Sequence, residues 1–186
     1  MSDIRGLMIH SRLDYVENLP DRKHYQRLLQ HLSEGMRQSI GEQVFLTNSY
    51  AFSLLKELDT AIGEILNTPM ESIFRDIGRR SANLIMDQYF FNYAQSKNPQ
   101  GFLSQIEKLY PYLCNLGQYF YQKTDQKSAH LKFSYDEDIH KPYCWFIQSF
   151  LQTGIEICSG EKVILKEIQC EADDGESCMY EVSWSK

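Results

Sequence analysis

Through most of the first 117 residues, apolar side chains recur every three or four positions; beyond that they begin to alternate with polar ones. The first pattern predicts helices and the second predicts strands. Leu54, Leu55, Leu58, Ile62, Ile65 and Leu66 form one stripe over residues 51–66, and Tyr25, Leu28, Leu29 and Leu32 form another over residues 21–32. Thr68-Pro69-Met70-Glu71 is a helix start, because Thr68 can cap, Pro69 suits the first helical position and Glu71 can close a capping box. That helix is expected to reach residue 95 and to bury Ile73, Phe74, Ile77, Leu84 and Ile85. Asn98-Pro99 opens the next, through Phe102, Ile106, Leu109 and Leu113 to about residue 117. Nearer the start, a short strand over residues 6–9 and a helix over residues 12–18, stopped by Pro20, complete the reading.

The last third reads as two hairpins split by one helix. Strands are expected over residues 118–124 and 128–135, joined by the polar turn Asp125-Gln126-Lys127. Pro142 begins a helix that ends near Ser159-Gly160. Strands over residues 162–170 and 178–184 then flank the turn Ala172-Asp173-Asp174-Gly175-Glu176. In the final strand Cys178, Tyr180, Val182 and Trp184 share one face, and Met179, Glu181 and Ser183 the other. The expectation is one α+β domain over residues 1–186, with N-terminal helices packed on a C-terminal antiparallel sheet of about four strands.

Composition narrows the functional classes. A net charge of -6 and no basic run longer than Arg79-Arg80 outside the N-terminal helix argue against a nucleic-acid partner. No stretch approaches the roughly 20 apolar residues of a membrane span, and no long apolar run follows the N-terminus as a signal peptide requires. A cytoplasmic location is expected. There the five cysteines, at 114, 144, 158, 170 and 178, would be thiols or metal thiolates. Cys114 and Cys158 fit core positions.

Cys144, Glu167, Cys170 and Cys178 are the constellation with chemical specificity. Thiolates and a carboxylate suit a tetrahedral zinc. Cys170 and Cys178 flank a turn, and Cys144 falls in the first turn after Pro142, where a helix N-terminus favours a thiolate. Glu167 lies three residues before Cys170, an odd offset that puts the two on opposite faces of a regular strand. A shared site therefore requires the strand to end or bulge between them. Three thiolates and a carboxylate around a dication also need cations nearby, for which Lys141 and Lys166 are candidates. Spacing alone leaves another reading open, since Cys-x7-Cys is no standard zinc signature and free cysteines are commonly buried. His140, four residues before Cys144, is an alternative ligand. His24 and His31, seven apart on one helix face, could meet a metal or a heme, or simply water.

The segment Glu-x-x-Cys-x-Ala-x-x-Gly-x-x-Cys-x-Tyr-x-Val-x-Trp, from Glu167 to Trp184, resembles the terminal signature of the 4-vinyl-reductase-like domain family. That superfamily also holds heme–nitric-oxide sensor domains and the small subunits of TRAPP tethering complexes. The resemblance is strongest over residues 140–184 and extends more weakly to Ser11-Arg12-Leu13-Asp14-Tyr15-Val16. Phenol-sensing relatives bind zinc through Cys, Glu, Cys and Cys, so the resemblance implies Cys144, Glu167, Cys170 and Cys178 as ligands of a structural zinc. It further implies a ligand-binding sensor that signals through protein contacts, as a homodimer or with a protein partner. A small apolar or aromatic ligand would sit in a pocket between helices and sheet, with Tyr89, Tyr112, Trp145 and Phe146 as candidate lining residues. Alternatives are a TRAPP-type interaction module without a regulatory ligand and a tetrapyrrole- or heme-binding protein. An enzyme is not expected, as no G-x-G-x-x-G nucleotide fingerprint is found.

Overall fold

The first helix is organised around a buried charge. The structure, a computed structural model, describes residues 2–40 and 43–185, except for the side chain of Tyr89. It places α1 over Gly6–Glu17, with Ile9, Arg12, Leu13 and Val16 on its buried face. Those positions have helical spacing, but the stripe is broken chemically by Arg12. The expected strand over residues 6–9 is therefore corrected to the first turn of a helix. The strand here is shorter and earlier, β1 (Asp3–Arg5), paired antiparallel with β2 (Ser49–Ala51).

The chain divides into two compact units, Met1–Ile73 with Leu113–Leu116, and Phe74–Tyr112 with Gly117–Lys186. In the first, α1 packs with α2 (Lys23–His31) and α4 (Phe52–Ile65). A further helix, α3 (Glu34–Ile40), starts where Ser33 Oγ accepts the Met36 N–H at 3.1 Å. Phe52, Leu55, Leu58 and Ile62 of α4 have essentially no exposed surface. Asp59 lies on the same buried face, and its Oδ1 accepts from Arg12 Nε at 3.0 Å.

The second unit is a four-stranded antiparallel sheet covered on one face. The helix opened at Thr68-Pro69 is α5 (Met70–Tyr89), and it stops earlier than the pattern predicts. Phe90 leaves the helical conformation and turns its buried ring edge-on to Phe102 at 5.2 Å. A separate turn of helix, α6 (Phe91–Gln95), follows, and then α7 (Pro99–Leu113), whose Gly101 N–H is capped by Asn98 Oδ1 at 2.8 Å. The strands are β3 (Gly117–Asp125), β4 (Ser128–Tyr135), β5 (Lys162–Gln169) and β6 (Cys178–Ser185), in the order β3-β4-β6-β5. Between the hairpins runs α8 (Lys141–Ser159), with Pro142 in its first turn and Gly160 closing it in the left-handed conformation.

Alternation decides which side of the sheet is covered. Tyr119, Leu131, Phe133, Cys178, Tyr180, Val182 and Trp184 are buried, while Phe120, Lys132, Met179 and Glu181 between them are exposed. From α7, Glu107 accepts the Tyr121 N–H at 2.9 Å, and the Tyr110 ring lies 6.1 Å from that of Tyr119. α8 approaches α7 closely at Gly154, where a Cβ would stand 2.4 Å from the Phe102 ring. Helices packed on an antiparallel sheet make the α+β class plain. Among the described residues no helix is long and apolar enough to cross a membrane.

Candidate functional site

One irregularity in β5 builds the site. Glu167 pairs with Tyr180 and Gln169 pairs with Met179, so Ile168 is an extra residue opposite no partner. Such a bulge inverts the in-out parity of the residues beyond it. Glu167 keeps the inner face beside Tyr180, Ile168 lies on the outer face at 46% exposure, Gln169 pairs with the exposed Met179, and Cys170 turns inward despite its odd offset. The chain then folds back through a single 3-10 turn, Glu171–Asp173. The Asp173 and Gly175 N–H groups both reach the Cys170 carbonyl, at 3.1 and 3.0 Å. A Cβ on Gly175 would sit 2.6 Å from that carbonyl oxygen, so this close return requires glycine. Cys178 follows as the first residue of β6, facing inward opposite Phe133.

Cys144, on the first turn of α8, completes a triangle of sulfur atoms. Cys144 lies 3.6 Å from Cys170 and 3.9 Å from Cys178, and Cys170 lies 3.9 Å from Cys178. Cys144 and Cys178 have no exposed surface and Cys170 has 4%. The Glu171 N–H points at Cys178 Sγ from 3.4 Å. Glu167, Cys170 and Asp173 also offer ligand atoms within 4.8 Å of one another. Of the four residues singled out in the sequence, the three thiols form one group, while Glu167 joins only Cys170 and Asp173 in a second, and His140 is in neither. His140 is half-buried, its ring stacked 6.5 Å from Tyr143.

A polar chain runs out from the thiols. Lys141 Nζ bonds to Glu167 at 3.1 Å and also to Asp173. Glu167 accepts from Gln148, whose Oε1 accepts from Arg75 Nη2 at 2.9 Å. Lys141 is one of the two cations expected near the carboxylate. Lys166, the other, lies on the exposed face opposite Glu181. Burial works against the Lys141 charge, but its bonds to Asp173, Cys170 and Glu167 outweigh this and raise its pKa.

The thiols are strongly inequivalent. Cys144 is pushed far up by its hydrogen bond to Cys178 and by burial. Burial also raises Cys170. Cys178 receives the hydrogen bond from Cys144 and falls to about 7 despite its own burial. A negative charge on the triangle therefore settles first on Cys178. The neighbouring phenols stay neutral: burial raises Tyr180, Tyr135 and Tyr119 alike.

The expected aromatic pocket residues do not assemble as a set. Phe146 is buried, with its ring 6.5 Å from Tyr143 and 6.2 Å from Phe150, and Trp145 beside it is half-buried. Tyr112 is 69% exposed on α7, and the Tyr89 side chain lies outside the described residues. The aromatic cluster that does form centres on Phe133, with Tyr119 at 4.6 Å, Tyr110 at 5.8 Å, and Tyr135 and Tyr180 both at 6.1 Å. The alternation of β4 and β6 carried that signal, because Phe133 and Tyr135 share a face, as do Cys178 and Tyr180.

No protein-family model matches the chain, and no curated protein matches it. Solved structures do. An H-NOX protein of S. oneidensis in the Fe(II)NO ligation state has a TM-score of 0.74 at 14% identity, covering 98% of this chain and 100% of that one. A mutant H-NOX protein from K. algicida, Fe(II) unliganded, has a TM-score of 0.74 at 15% identity, covering 98% and 97%. The H-NOX domain from Shewanella oneidensis in the Fe(II)CO state has a TM-score of 0.71 at 15% identity, covering 98% and 99%. The fold is therefore that of H-NOX domains over essentially the whole chain.

These likenesses correct the expected cofactor. Other structures with this fold are described by heme redox potential and heme distortion, so the group named for those proteins is heme and not the expected zinc. An iron porphyrin needs an axial donor such as an imidazole. His10, His31 and His130 are exposed. His24 sits on α2 one turn before the fully buried Leu28, half-buried itself. Its Nδ1 is sheltered from solvent and meets no hydrogen-bond partner among the described residues. A ring nitrogen left without a partner is a candidate axial donor, and on that ground His24 is the imidazole that would hold the group. The thiols fit it poorly, because each is closed against the other two.

Proposed function

We propose that this chain is a small-molecule sensor domain that binds a heme and reports its ligand state to another protein. The observation that supports this reading is the likeness of the backbone, over at least 97% of each chain, to domains solved in unliganded, nitric-oxide and carbon-monoxide states. A fold alone hosts many functions, and the sheltered His24 nitrogen is the local feature that joins it to heme. When bound, the heme iron would supply a coordination position for a diatomic ligand. His24 would hold the iron, and a second copy or a separate protein would read the result. The chain's own part is to shield the group from water, and this role involves no enzymatic step.

Titration of the purified chain with ferric and ferrous heme, followed by absorption spectroscopy, tests the reading. A saturable spectrum of a ligated heme with one heme per chain is expected. His24→Ala should weaken binding at least tenfold or change the axial-ligand signature. A free-heme spectrum throughout would overturn the proposal.

A second reading, an apolar or aromatic ligand, is favoured by the ring cluster around Phe133. There the Tyr119 hydroxyl is buried without a hydrogen-bond partner among the described residues. Native mass spectrometry separates the two readings, since one retains a porphyrin mass and the other a small aromatic mass.

A further inference from the structure

Three thiols in mutual contact, on three different segments, form a cluster that the heme reading does not use. We infer that Cys144 and Cys170 are a hydroperoxide-sensitive dithiol that closes into a disulfide, with Cys178 as a third thiol able to exchange into it. This inference does not rest on the heme reading and survives its failure.

Geometry carries it. Cys170 and Cys144 have the shortest sulfur separation of the three, 3.6 Å. A disulfide bond is about 2.05 Å long, so closure is a movement of about 1.5 Å. Cys170 is the last residue before the 3-10 turn and Cys144 lies in the first turn of α8, so the bond would tie the hairpin to the helix. Cys170 retains 4% exposure where the other two retain none, so an oxidant meets it first. It also borders the turn that carries the exposed Asp173 and Asp174, on the solvent side of the cluster. Cys178, 3.9 Å from both, stands where thiol–disulfide exchange can pass the bond on.

The chemistry balances with a hydroperoxide as the oxidant. The Cys170 thiol passes its proton to the Cys178 sulfur, 3.9 Å away, and the resulting thiolate attacks the peroxide; the O–O bond breaks, an S–O bond forms, and the departing oxygen takes that proton and leaves as water or an alcohol. The Cys144 sulfur then displaces hydroxide from the sulfenic acid, forming the S–S bond, and the Cys144 proton leaves with the hydroxide as water. Two thiols lose two electrons, which reduce the peroxide. Cys114 and Cys158 lie outside the triangle; Cys158 is a buried core thiol that burial raises to about 12.

The test is intact-mass analysis of the full purified chain under stepwise hydrogen peroxide, without reductant, with peptide mapping. The expected result is the loss of two hydrogen masses per chain, one bond mapped to Cys144–Cys170, and full reversal by dithiothreitol. Cys178→Ser should retain the loss, and Cys170→Ser should slow it at least tenfold. Circular dichroism checks that each variant is folded, and the mapping on the unaltered chain needs no variant. Any of three results overturns the inference: oxygen additions without a bond, native thiols that stay unreacted in excess peroxide, or one metal ion per chain protecting all three sulfurs.

Discussion

In the first unit a guanidinium and a carboxylate, both without exposed side-chain surface, answer each other at 3.0 Å. In the second, three thiols press together, linked at one edge to a lysine whose side chain stays a quarter exposed. Arg12 must be charged in the interior, so it is tolerated only with Asp59 opposite and the Met8 carbonyl beside it. Thiols carry no such obligation. They can be buried uncharged among one another, and they keep their reactivity. Fixed charge in an interior is committed to holding a structure, whereas titratable or oxidisable groups there remain available for chemistry.

Removing one half of the ion pair should do the most damage. Asp59→Ala leaves Arg12 buried without its carboxylate and should cost about 3–5 kcal/mol of unfolding free energy, read from denaturant midpoints. A cost near that of a surface substitution would erase the contrast between the units. A smaller effect is expected in alkali. Burial raises Tyr119, so the unfolded chain ionises that phenol at about pH 10 while the folded chain does not. Its contribution is intact below about pH 10 and is lost as pH rises toward the folded value. The loss runs at about 1.4 kcal/mol per pH unit. Tyr119→Phe should remove that share of the alkaline slope, and Tyr25→Phe in the first unit, where the group is half-exposed, should remove less. Smallest is Glu167→Gln, which uncouples Lys141 at the rim of the thiol cluster. Because both partners are partly exposed, the change should be at most about 1 kcal/mol and should shrink with added salt.

Residues within one element were legible in advance, and residues joined across elements were not. Pro142 and Gly160 marked both ends of α8, and the alternation of β6 put Cys178, Tyr180, Val182 and Trp184 on one buried face. The parity conflict between Glu167 and Cys170 was legible as a conflict, and a bulge at Ile168 resolves it. The apolar pattern catches only the second half of α1, because its inner stripe contains an arginine whose burial depends on an aspartate 47 residues away. The break at Phe90 is hidden for a similar reason. The helical pattern continues through it, and only the Phe102 ring shows why the chain turns. Tyr112 reads as a pocket residue because tyrosine suits pockets, yet its place on α7 leaves it at the surface.

By itself the sequence determined the periods, the helix starts, the two closing hairpins and which three cysteines were candidates to meet. These are local properties, fixed by spacing along one element and by the few residue types that begin or end it. The tertiary structure decided which distant groups meet: Arg12 with Asp59, Gln148 with Glu167, Lys141 with Asp173, and one sulfur with the next. Such meetings depend on the register of strands and the packing of helices, where a single extra residue turns a side chain from solvent to core.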